Sequence, residues 1–292
     1  MLGSWCLVLL LGLAADGSAM PADVPDAGRE SEFLSEIRQL TFGSEFERAG
    51  EAYFSPDGSC LIFQAVPRGQ KHYQMYLAPV VREGDSITGI GQYVQISSEP
   101  SRNTCGWFAP DGKTILIAST AGKEVPDEPT AGYQREGRDY RWSYPSGMEL
   151  WLLQVPGPQV AGDLRQFAPG GAAERKPLTD NLFYDAEGSF SPDGRHIIFT
   201  SNRSGDLELY VVNPDGSGLV QLTQVPGYDG GPFFSPDGKR VCYRSDRRDN
   251  DLLQVFVSDV VYDAEGNITG LTNERQLTQD AHVNWGPFWH PS

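Results

Sequence analysis

Four side chains with carboxylate or amide oxygens occupy one repeated position of the sequence, seven residues before a recurring proline. They are Asn103, Asp185, Asp229 and Asn284, and Tyr184 and Tyr228 directly precede the two aspartates. Such oxygens are the ligands that calcium prefers in proteins. The pattern therefore predicts a ring that binds a cation or a polar ligand, with calcium at Asp185 and Asp229 and no other cofactor. The alternative is that these side chains cap the tight turns that enter each strand.

The same two aspartates leave an enzymatic alternative open. Asp185 and Asp229 could act as general acid and base in a hydrolase or lyase that cleaves a polysaccharide. The sequence contains no Gly-x-Ser-x-Gly, no His-Glu-x-x-His, no Gly-x-x-x-x-Gly-Lys-Ser/Thr loop and no dinucleotide-binding glycine pattern. We therefore assign no catalytic residue and predict a non-catalytic binding or scaffold protein.

A second candidate site lies in the longest interruption of the repeat, roughly residues 121–147. It contains a cluster of aromatic and arginine side chains: Tyr133, Arg135, Arg138, Tyr140, Arg141 and Trp142. These residue types dominate the hot spots of protein interfaces because they bury a large area and also form hydrogen bonds. The insertion therefore predicts contact with a protein or glycan partner. Alternatively, it folds back and fills the channel with its own aromatic side chains.

A repeated tetrapeptide sets the positions of all these residues. It reads Ser55-Pro56-Asp57-Gly58, Ala109-Pro110-Asp111-Gly112, Ser191-Pro192-Asp193-Gly194 and Ser235-Pro236-Asp237-Gly238. Successive prolines, continued by Pro291, are 54, 82, 44 and 55 residues apart. Proline, aspartate and glycine suit the second, third and fourth positions of a type I turn. Apolar runs such as residues 197–199 follow the turns and predict strands.

Four short strands per repeat predict an all-β fold, a β-propeller built from four-stranded antiparallel blades. The sequence accounts for four full blades and one partial blade, with residues 33–41 as an outer strand and residues 283–289 as an inner strand. An aromatic residue lies two positions before each proline, and we expect it to pack between neighbouring blades: Phe54, Phe108, Phe190, Phe234 and Trp289. In a propeller, the inner strand of each blade lines the channel. The candidate residues should therefore meet at one channel mouth.

The repeat resembles the TolB-like propeller repeat, one of the WD40-like repeats. The resemblance rests on a Leu-Thr marker, the aromatic-Ser-Pro-Asp-Gly segment, and Ser201-Asn202-Arg203-Ser204-Gly205-Asp206 followed by Glu208-Leu209-Tyr210. It implies an exported propeller, commonly six-bladed, that binds other macromolecules without catalysis. TolB proteins carry an α/β domain ahead of the propeller, whereas here the repeats begin almost at once. No partner-contacting residue is therefore carried over.

The beginning of the chain predicts export. Residues 5–15 are apolar and small residues follow, which is typical of a signal peptide covering residues 1–19. The run is too short to span a membrane, so no transmembrane segment is predicted. Residues 20–32 are interpreted as a linker and residues 33–292 as the propeller, truncated at its C-terminus within a repeat turn. The predicted location is the periplasm or the cell exterior.

Composition narrows the possible partners and the redox chemistry. The 292 residues carry a formal net charge of −16, which argues against a nucleic-acid partner because such a partner requires a basic surface. After removal of the predicted signal peptide, Cys60, Cys105 and Cys242 remain, and none of them is spaced as Cys-x-x-Cys. One disulfide is possible, but buried free thiols are favoured.

Overall fold

The computed structural model describes residues 35–97, 100–121, 123, 144–154, 175–247 and 252–290, together with the backbone of residues 132–136 and 139–143. The predicted signal peptide and linker lie outside the described residues. All regular structure in the described part is β-strand, which confirms the all-β class. No helix in that part is long and apolar enough to cross a membrane.

The strands form four antiparallel blades, as predicted. Blade one contains β1 (Phe46–Phe54), β2 (Cys60–Pro67), β3 (Gln74–Glu83), β4 (Ser86–Ile90) and β5 (Val94–Gln95). Blade two contains β6 (Asn103–Phe108), β7 (Thr114–Ser119), β10 (Glu149–Gln154) and β11 (Arg175–Pro177). Blade three contains β12 (Asp185–Phe190), β13 (Ile197–Ser201), β14 (Glu208–Val212) and β15 (Val220–Gln221). Blade four contains β16 (Asp229–Phe234), β17 (Arg240–Ser245), β18 (Gln254–Tyr262) and β19 (Ile268–Gln276).

Two features depart from four plain strands per blade. In blade one the fourth strand is divided, because β4 and β5 pair with different parts of β3. In blade two the insertion forms a separate hairpin, β8 (Gly132–Glu136) and β9 (Asp139–Ser143), between the second and third strands. The insertion therefore lies where the repeat spacing predicts it.

The repeated tetrapeptide forms the turn between the first and second strands of each blade. In blade three, the Gly194 amide donates a hydrogen bond to the Ser191 carbonyl over 2.9 Å, and Gly194 has a φ of 73°. The Ser191 hydroxyl also donates to Asp193 over 2.6 Å. Glycine is favoured at the fourth position because a positive φ is strained for other residues.

The first strands of successive blades lie side by side, so that β6 contacts both β1 and β12, and β12 also contacts β16. Apolar side chains fill the spaces between blades. Phe234, for example, packs with Ile198 of blade three and with Val241 of blade four. Phe108 and Phe190 occupy equivalent positions, which confirms the prediction for these three aromatic residues.

Glycine in the first strand allows close packing between blades. A Cβ added to Gly188 would lie 2.6 Å from Cδ2 of Leu116 in the preceding blade, closer than real Cβ contacts. Gly106 holds the equivalent position in blade two, where an added Cβ would lie 2.4 Å from Cδ1 of Ile62. Side chains at these two positions would force the blades apart.

The predicted strands at the two ends of the propeller segment are wrong. Residues 35–41 and 282–290 form no strand. A strand requires a neighbour that accepts and donates its backbone hydrogen bonds, and no strand in the described residues lies beside either segment. Leu40 is nevertheless buried, and the Trp289 indole donates a hydrogen bond to the Phe233 carbonyl over 2.9 Å. Both segments therefore pack against the blades without extending a sheet.

His196 predicts a pH dependence of stability. Its side chain is buried, and its Nδ1 atom has no hydrogen-bond partner among the described residues. Burial lowers the pKa of His196 below its usual 6.5. The charge of Arg195 lowers this pKa further, whereas Asp193 and Asp263 raise it without reversing the shift. The unfolded chain therefore binds a proton more readily. The stabilising contribution is complete above the unfolded pKa and is lost as the pH falls through the lowered value.

Denaturant melts of the parent and of His196→Phe, from pH 6.5 downward, test this expectation. The parent should lose unfolding free energy more steeply than the variant. His282→Asn serves as the control because His282 is exposed. Equal slopes for the parent and His196→Phe would contradict the assignment.

Candidate functional site

The structure buries the predicted ring of polar side chains. Asn103, Asp185 and Asp229 are the first residues of their strands, and their side chains are only 3%, 0% and 1% exposed. Asp185 accepts a hydrogen bond from the Ser201 hydroxyl over 2.5 Å, and Asn103 accepts one from the Ser119 hydroxyl over 2.7 Å. These bonds join the first strand to the second within a blade. Contrary to the expectation from the sequence, these three side chains are not exposed at an open channel mouth.

Each aspartate is also paired with an arginine of its own blade. Arg203 lies 2.7 Å from Asp185, and Arg247 lies 3.2 Å from Asp229. Burial raises the pKa of Asp229, while Arg247 acts in the opposite direction. Within the described part of the chain, no group of three or more His, Cys, Asp or Glu side chains is arranged to hold a metal ion. The calcium site stays a prediction, and both of its carboxylates already have a cationic partner.

The two predicted tyrosines pack against Tyr144 of the insertion. Tyr184 and Tyr228 are buried. Tyr144 stacks on Tyr228 with ring centroids 5.7 Å apart, and it meets Tyr184 edge-on at 5.0 Å. At this point the insertion therefore packs an aromatic side chain against the two tyrosines that precede the first strands of blades three and four. The remaining predicted insertion side chains lie outside those that the structure describes: Tyr133, Arg135, Arg138, Tyr140, Arg141 and Trp142.

Asn284 does not lie in a strand, unlike the other three members of the predicted ring. Its backbone amide donates to the Leu253 carbonyl over 2.8 Å, and its side chain donates to Asp280 over 3.0 Å. Asn284 is half-buried. It thus stabilises the connection that follows the last strand of blade four.

A position that the sequence did not point to carries functional groups into the channel. Five residues before the repeat proline, every first strand contains a β-bulge, and the bulged residue has a left-handed backbone. The residues and their φ values are Glu51 (23°), Cys105 (53°), Glu187 (57°) and Gly231 (58°). For residues other than glycine, this conformation costs about 1–3 kcal/mol each and is concentrated at functional sites. A bulge also redirects the side chain it carries.

The bulged residues border a cavity between the first strands, which we call the channel cavity. Its volume is about 280 Å³, including the part open to solvent. Polar groups from Glu51, Cys105, Glu187 and Arg244 line it, together with aromatic side chains of the first strands. Two carboxylates and one guanidinium therefore face a single small space.

Glu187 and Arg244 form an ion pair on one side of the channel cavity. Arg244 is 3% exposed and lies 3.2 Å from Glu187. The Tyr228 hydroxyl donates to Glu187 over 2.5 Å, and the Gly231 amide donates over 2.7 Å. The Trp285 ring covers the guanidinium of Arg244 at 3.4 Å. The Glu187 carboxylate is therefore compensated on several sides.

Glu51 and Cys105 also line the channel cavity. Burial raises the pKa of Glu51, Arg244 lowers it, and Glu187 raises it further. Burial also raises the pKa of the Cys105 thiol, and the nearby Glu51 and Glu187 act in the same direction. A nucleophilic cysteine requires the thiolate, which a lowered pKa favours. The surroundings of Cys105 therefore keep it a neutral thiol.

Four aromatic side chains pack together two repeat positions after the bulged residues. They are Tyr53, Trp107, Phe233 and Phe288, and every pair among them has ring centroids between 4.7 and 6.5 Å apart. We call this set the aromatic floor. All four lie three residues before the repeat proline. Contacts at these distances add about 0.5–1.5 kcal/mol per pair beyond the burial of area.

Comparison with known proteins identifies the repeat. A family model described as the TolB β-propeller domain matches residues 173–284. The chain carries TolB-like β-propeller repeats. A solved structure of a candidate TolB from Agrobacterium tumefaciens superposes with a TM-score of 0.50 at 19% identity, covering 87% of this chain and 73% of that one. The likeness to that structure supports the propeller fold.

Two curated relatives match shorter stretches. The Tol-Pal system protein TolB of Bordetella pertussis is 45% identical over 47 residues, 16% of this chain and 11% of that protein. A probable dipeptidyl-aminopeptidase B of Verticillium alfalfae is 28% identical over 155 residues, 50% of this chain and 16% of that protein. The chain thus spans a small part of either relative. A TolB-like propeller supports a protein-binding role, but a peptidase relative means that the repeat alone does not choose between binding and catalysis.

One signal within the TolB-like repeats could have revealed the channel cavity. Gly231 and Gly286 occupy the same repeat position as Glu51, Cys105 and Glu187. Glycine at one repeated position indicates a left-handed backbone, which Gly286 also has, with a φ of 67°. The bulge itself was not visible in the sequence because the strands otherwise show an ordinary apolar pattern.

Proposed function

We propose that this chain is an exported, non-catalytic binding propeller that docks a protein partner on the channel-mouth face. The observation that carries the proposal is an exposed apolar pair on the loop of residues 180–184, which we call the mouth loop. Leu182 is 80% exposed and Phe183 is 43% exposed. Exposed apolar side chains of this size on an ordered loop are typical of protein interaction sites.

The mouth loop is held in place by its own hydrogen bonds. The Asn181 side chain accepts from the Phe183 amide over 2.7 Å and donates to Asp185 over 2.8 Å. Its backbone amide donates to Glu149 over 2.6 Å. Because the loop is already ordered, binding through Leu182 and Phe183 loses little conformational entropy.

The insertion reaches the same face. The Gly147 amide donates to the Phe183 carbonyl over 3.0 Å, and the Lys123 ammonium lies 3.4 Å from Asp180 and donates to the Asn181 carbonyl. Both ends of the insertion are therefore attached to the mouth loop. We propose that its aromatic and arginine cluster, including Arg141 and Trp142, extends the docking surface formed by Leu182.

The surroundings of the two repeat-position aspartates favour binding over the polysaccharide-cleaving alternative. Asp185 and Asp229 are buried, paired with Arg203 and Arg247, and absent from the lining of the channel cavity. A general acid or base must come within hydrogen-bond reach of its substrate. Neither carboxylate has that access from the channel cavity.

A periplasmic or secreted location is part of the proposal. It rests on the signal peptide predicted for residues 1–19 and on the similarity to a Tol-Pal system protein. The net charge of −16 disfavours nucleic acid as the partner.

Leu182→Asp is expected to weaken partner docking without changing the melting temperature, because the side chain is exposed. Leu219→Asp is the matched control. Leu219 is 46% exposed in the connection between β14 and β15, at the opposite end of the blade. To test the face directly, a photo-crosslinking residue is placed at position 183 or at position 219. Each protein is then exposed to an envelope extract, and the captured material is identified by mass spectrometry. Position 183 should capture a defined protein, and Leu182→Asp should reduce its yield about tenfold.

Three outcomes would contradict the proposal. They are crosslinking from position 219 alone, equal yields for Leu182→Asp and Leu219→Asp, and captured material that resists protease but is degraded by glycosidases. The last result would assign the face to a glycan. In the same assay, combining Arg141→Ala with Trp142→Ala should lower the yield at unchanged stability if the insertion contributes.

A further inference from the structure

The channel cavity has an uneven charge balance. Glu51 and Glu187 contribute two carboxylates, whereas Arg244 contributes the one cationic side chain that lines it. Glu187 uses that cation, since its ion pair with Arg244 is 3.2 Å long. In the described part of the chain, Glu51 forms no ion pair with a cationic side chain. Among the described residues, Glu51 therefore shares the charge of Arg244 with Glu187 and has no cationic side chain of its own.

Placing a carboxylate in such a position is unfavourable unless a cation compensates it. Glu51 additionally requires a left-handed backbone, with a φ of 23°, which a glycine would adopt more readily. Gly231 occupies the equivalent position in blade four. Glu51 thus combines a partly buried charge with a strained backbone. Backbone strain of this kind is concentrated at binding and active sites.

The other surfaces of the channel cavity suit a compact cation on an apolar stem. Tyr53, Trp107 and Phe233 of the aromatic floor line it alongside the two carboxylates. Aromatic faces attract cations and also pack against methylene groups. The free space inside the channel cavity holds about one water molecule, which is the size of an ammonium group and much smaller than a whole small ligand.

We propose that the channel cavity binds a primary ammonium group of the docked protein, with Glu51 as its counter-ion and the aromatic floor against its carbon stem. This inference rests on the proposed function in naming a protein as the source. A lysine side chain and an N-terminal amine share the required chemistry. An ammonium group is compact and offers three donors, whereas a guanidinium group is wider and planar.

The site is tested on the full chain without any partner. Isothermal titration calorimetry with n-butylammonium chloride should give a dissociation constant on the order of 1 mM. Glu51→Gln should weaken binding at least about tenfold, because it removes the counter-ion but keeps the side-chain shape. Glu47→Gln is the matched control, since Glu47 is an exposed glutamate on the same strand. The neutral isostere n-butanol should not bind measurably, and n-butylguanidinium should bind more weakly.

Three results would overturn the proposal. They are equal affinities for butanol and butylammonium, equal effects of Glu51→Gln and Glu47→Gln on butylammonium affinity, and a higher affinity for butylguanidinium than for butylammonium. The comparison of ligands uses the parent protein, so it remains decisive even if Glu51→Gln proves unstable. We expect the variant to melt close to the parent temperature, because it removes the second of two carboxylates that share one cation and leaves the Glu187–Arg244 pair in place.

Two peptides then distinguish the sources of the amine. Acetyl-Gly-Lys-Gly-amide presents a lysine side chain alone, and Gly-Gly-Gly-amide presents an N-terminal amine alone. Competition with butylammonium by one peptide identifies the source, and competition by neither overturns a protein origin. Because these titrations do not involve the mouth loop, failure of the Leu182 experiment and failure of the channel cavity can be told apart.

Discussion

Replacing Phe234 with alanine is expected to lower the free energy of unfolding by about 3–5 kcal/mol. Phe234 is 9% exposed and packs between Ile198 of blade three and Val241 of blade four. The variant loses the burial of the ring and gains a cavity in a space that two blades share. Neither blade can close that cavity alone without losing its contacts with the other. For a chain of this size the melting temperature should fall by roughly 6–20 °C.

Thermal melts followed by circular dichroism, together with urea titration, measure this effect. Leu277→Ala is the control, because Leu277 is 61% exposed and its truncation opens no cavity. A melting temperature for Phe234→Ala within about 2 °C of the parent would show that the ring does not join the two blades.

The second large effect is expected at the ion pair of the channel cavity. Arg244→Met removes the cation that lies 3.2 Å from Glu187 and leaves that carboxylate without its cationic partner. Breaking a buried pair in this way costs about 3–5 kcal/mol. Glu187→Gln combined with Arg244→Met removes both charges. The double variant should therefore be more stable than the sum of the single variants predicts, by about 1–3 kcal/mol.

The four proteins of this double-mutant cycle can be compared by urea titration. Arg275→Met is the control, because Arg275 is exposed on β19. Parent-like stability of Arg244→Met would argue against a buried pair. Strict additivity of the two substitutions would show that Glu187 and Arg244 do not interact energetically.

The bulges connect the stability of the propeller with its proposed binding role. Cys105 and Glu187 hold a left-handed backbone that costs free energy, with φ values of 53° and 57°. Glu187 recovers part of that cost through the Gly231 amide, which donates to it over 2.7 Å across the channel. The channel groups are thereby held in fixed positions by the first strands, and rigid elements of this kind position a binding site better than loops do.

Much of the fold could be predicted from the sequence because it depends on local rules. The turn from Ser191 to Gly194 follows from the preferences of proline, aspartate and glycine, and the runs after it follow from strand patterning. The position of Phe234 between two blades follows from the repeat, since every blade must bury the same face against its neighbour. Where no neighbouring strand is present, as at residues 283–289, the same reasoning predicted a strand that does not form.

The candidate site was less predictable because it depends on distant parts of the chain. The carboxylate of Asp185 looked available for a ligand, but Arg203, in the turn after the second strand, pairs with it at 2.7 Å. Glu187 lies two residues further along the same strand. Simple alternation would place it on the same side as Asp185. The bulge between Ala186 and Ser189 breaks that alternation.

The sequence by itself determined the blade, its turns and the aromatic residues between blades, because each depends on residue types at short, repeated spacings. Only the tertiary structure decided which polar groups meet. Glu51 and Glu187 lie on the bulged first strands of two blades, and Arg244 lies on the second strand of a third. They line one cavity because the first strands lie side by side there. Such a meeting depends on packing across blades and on a one-residue irregularity in strand pairing, and neither leaves a periodic trace in the sequence.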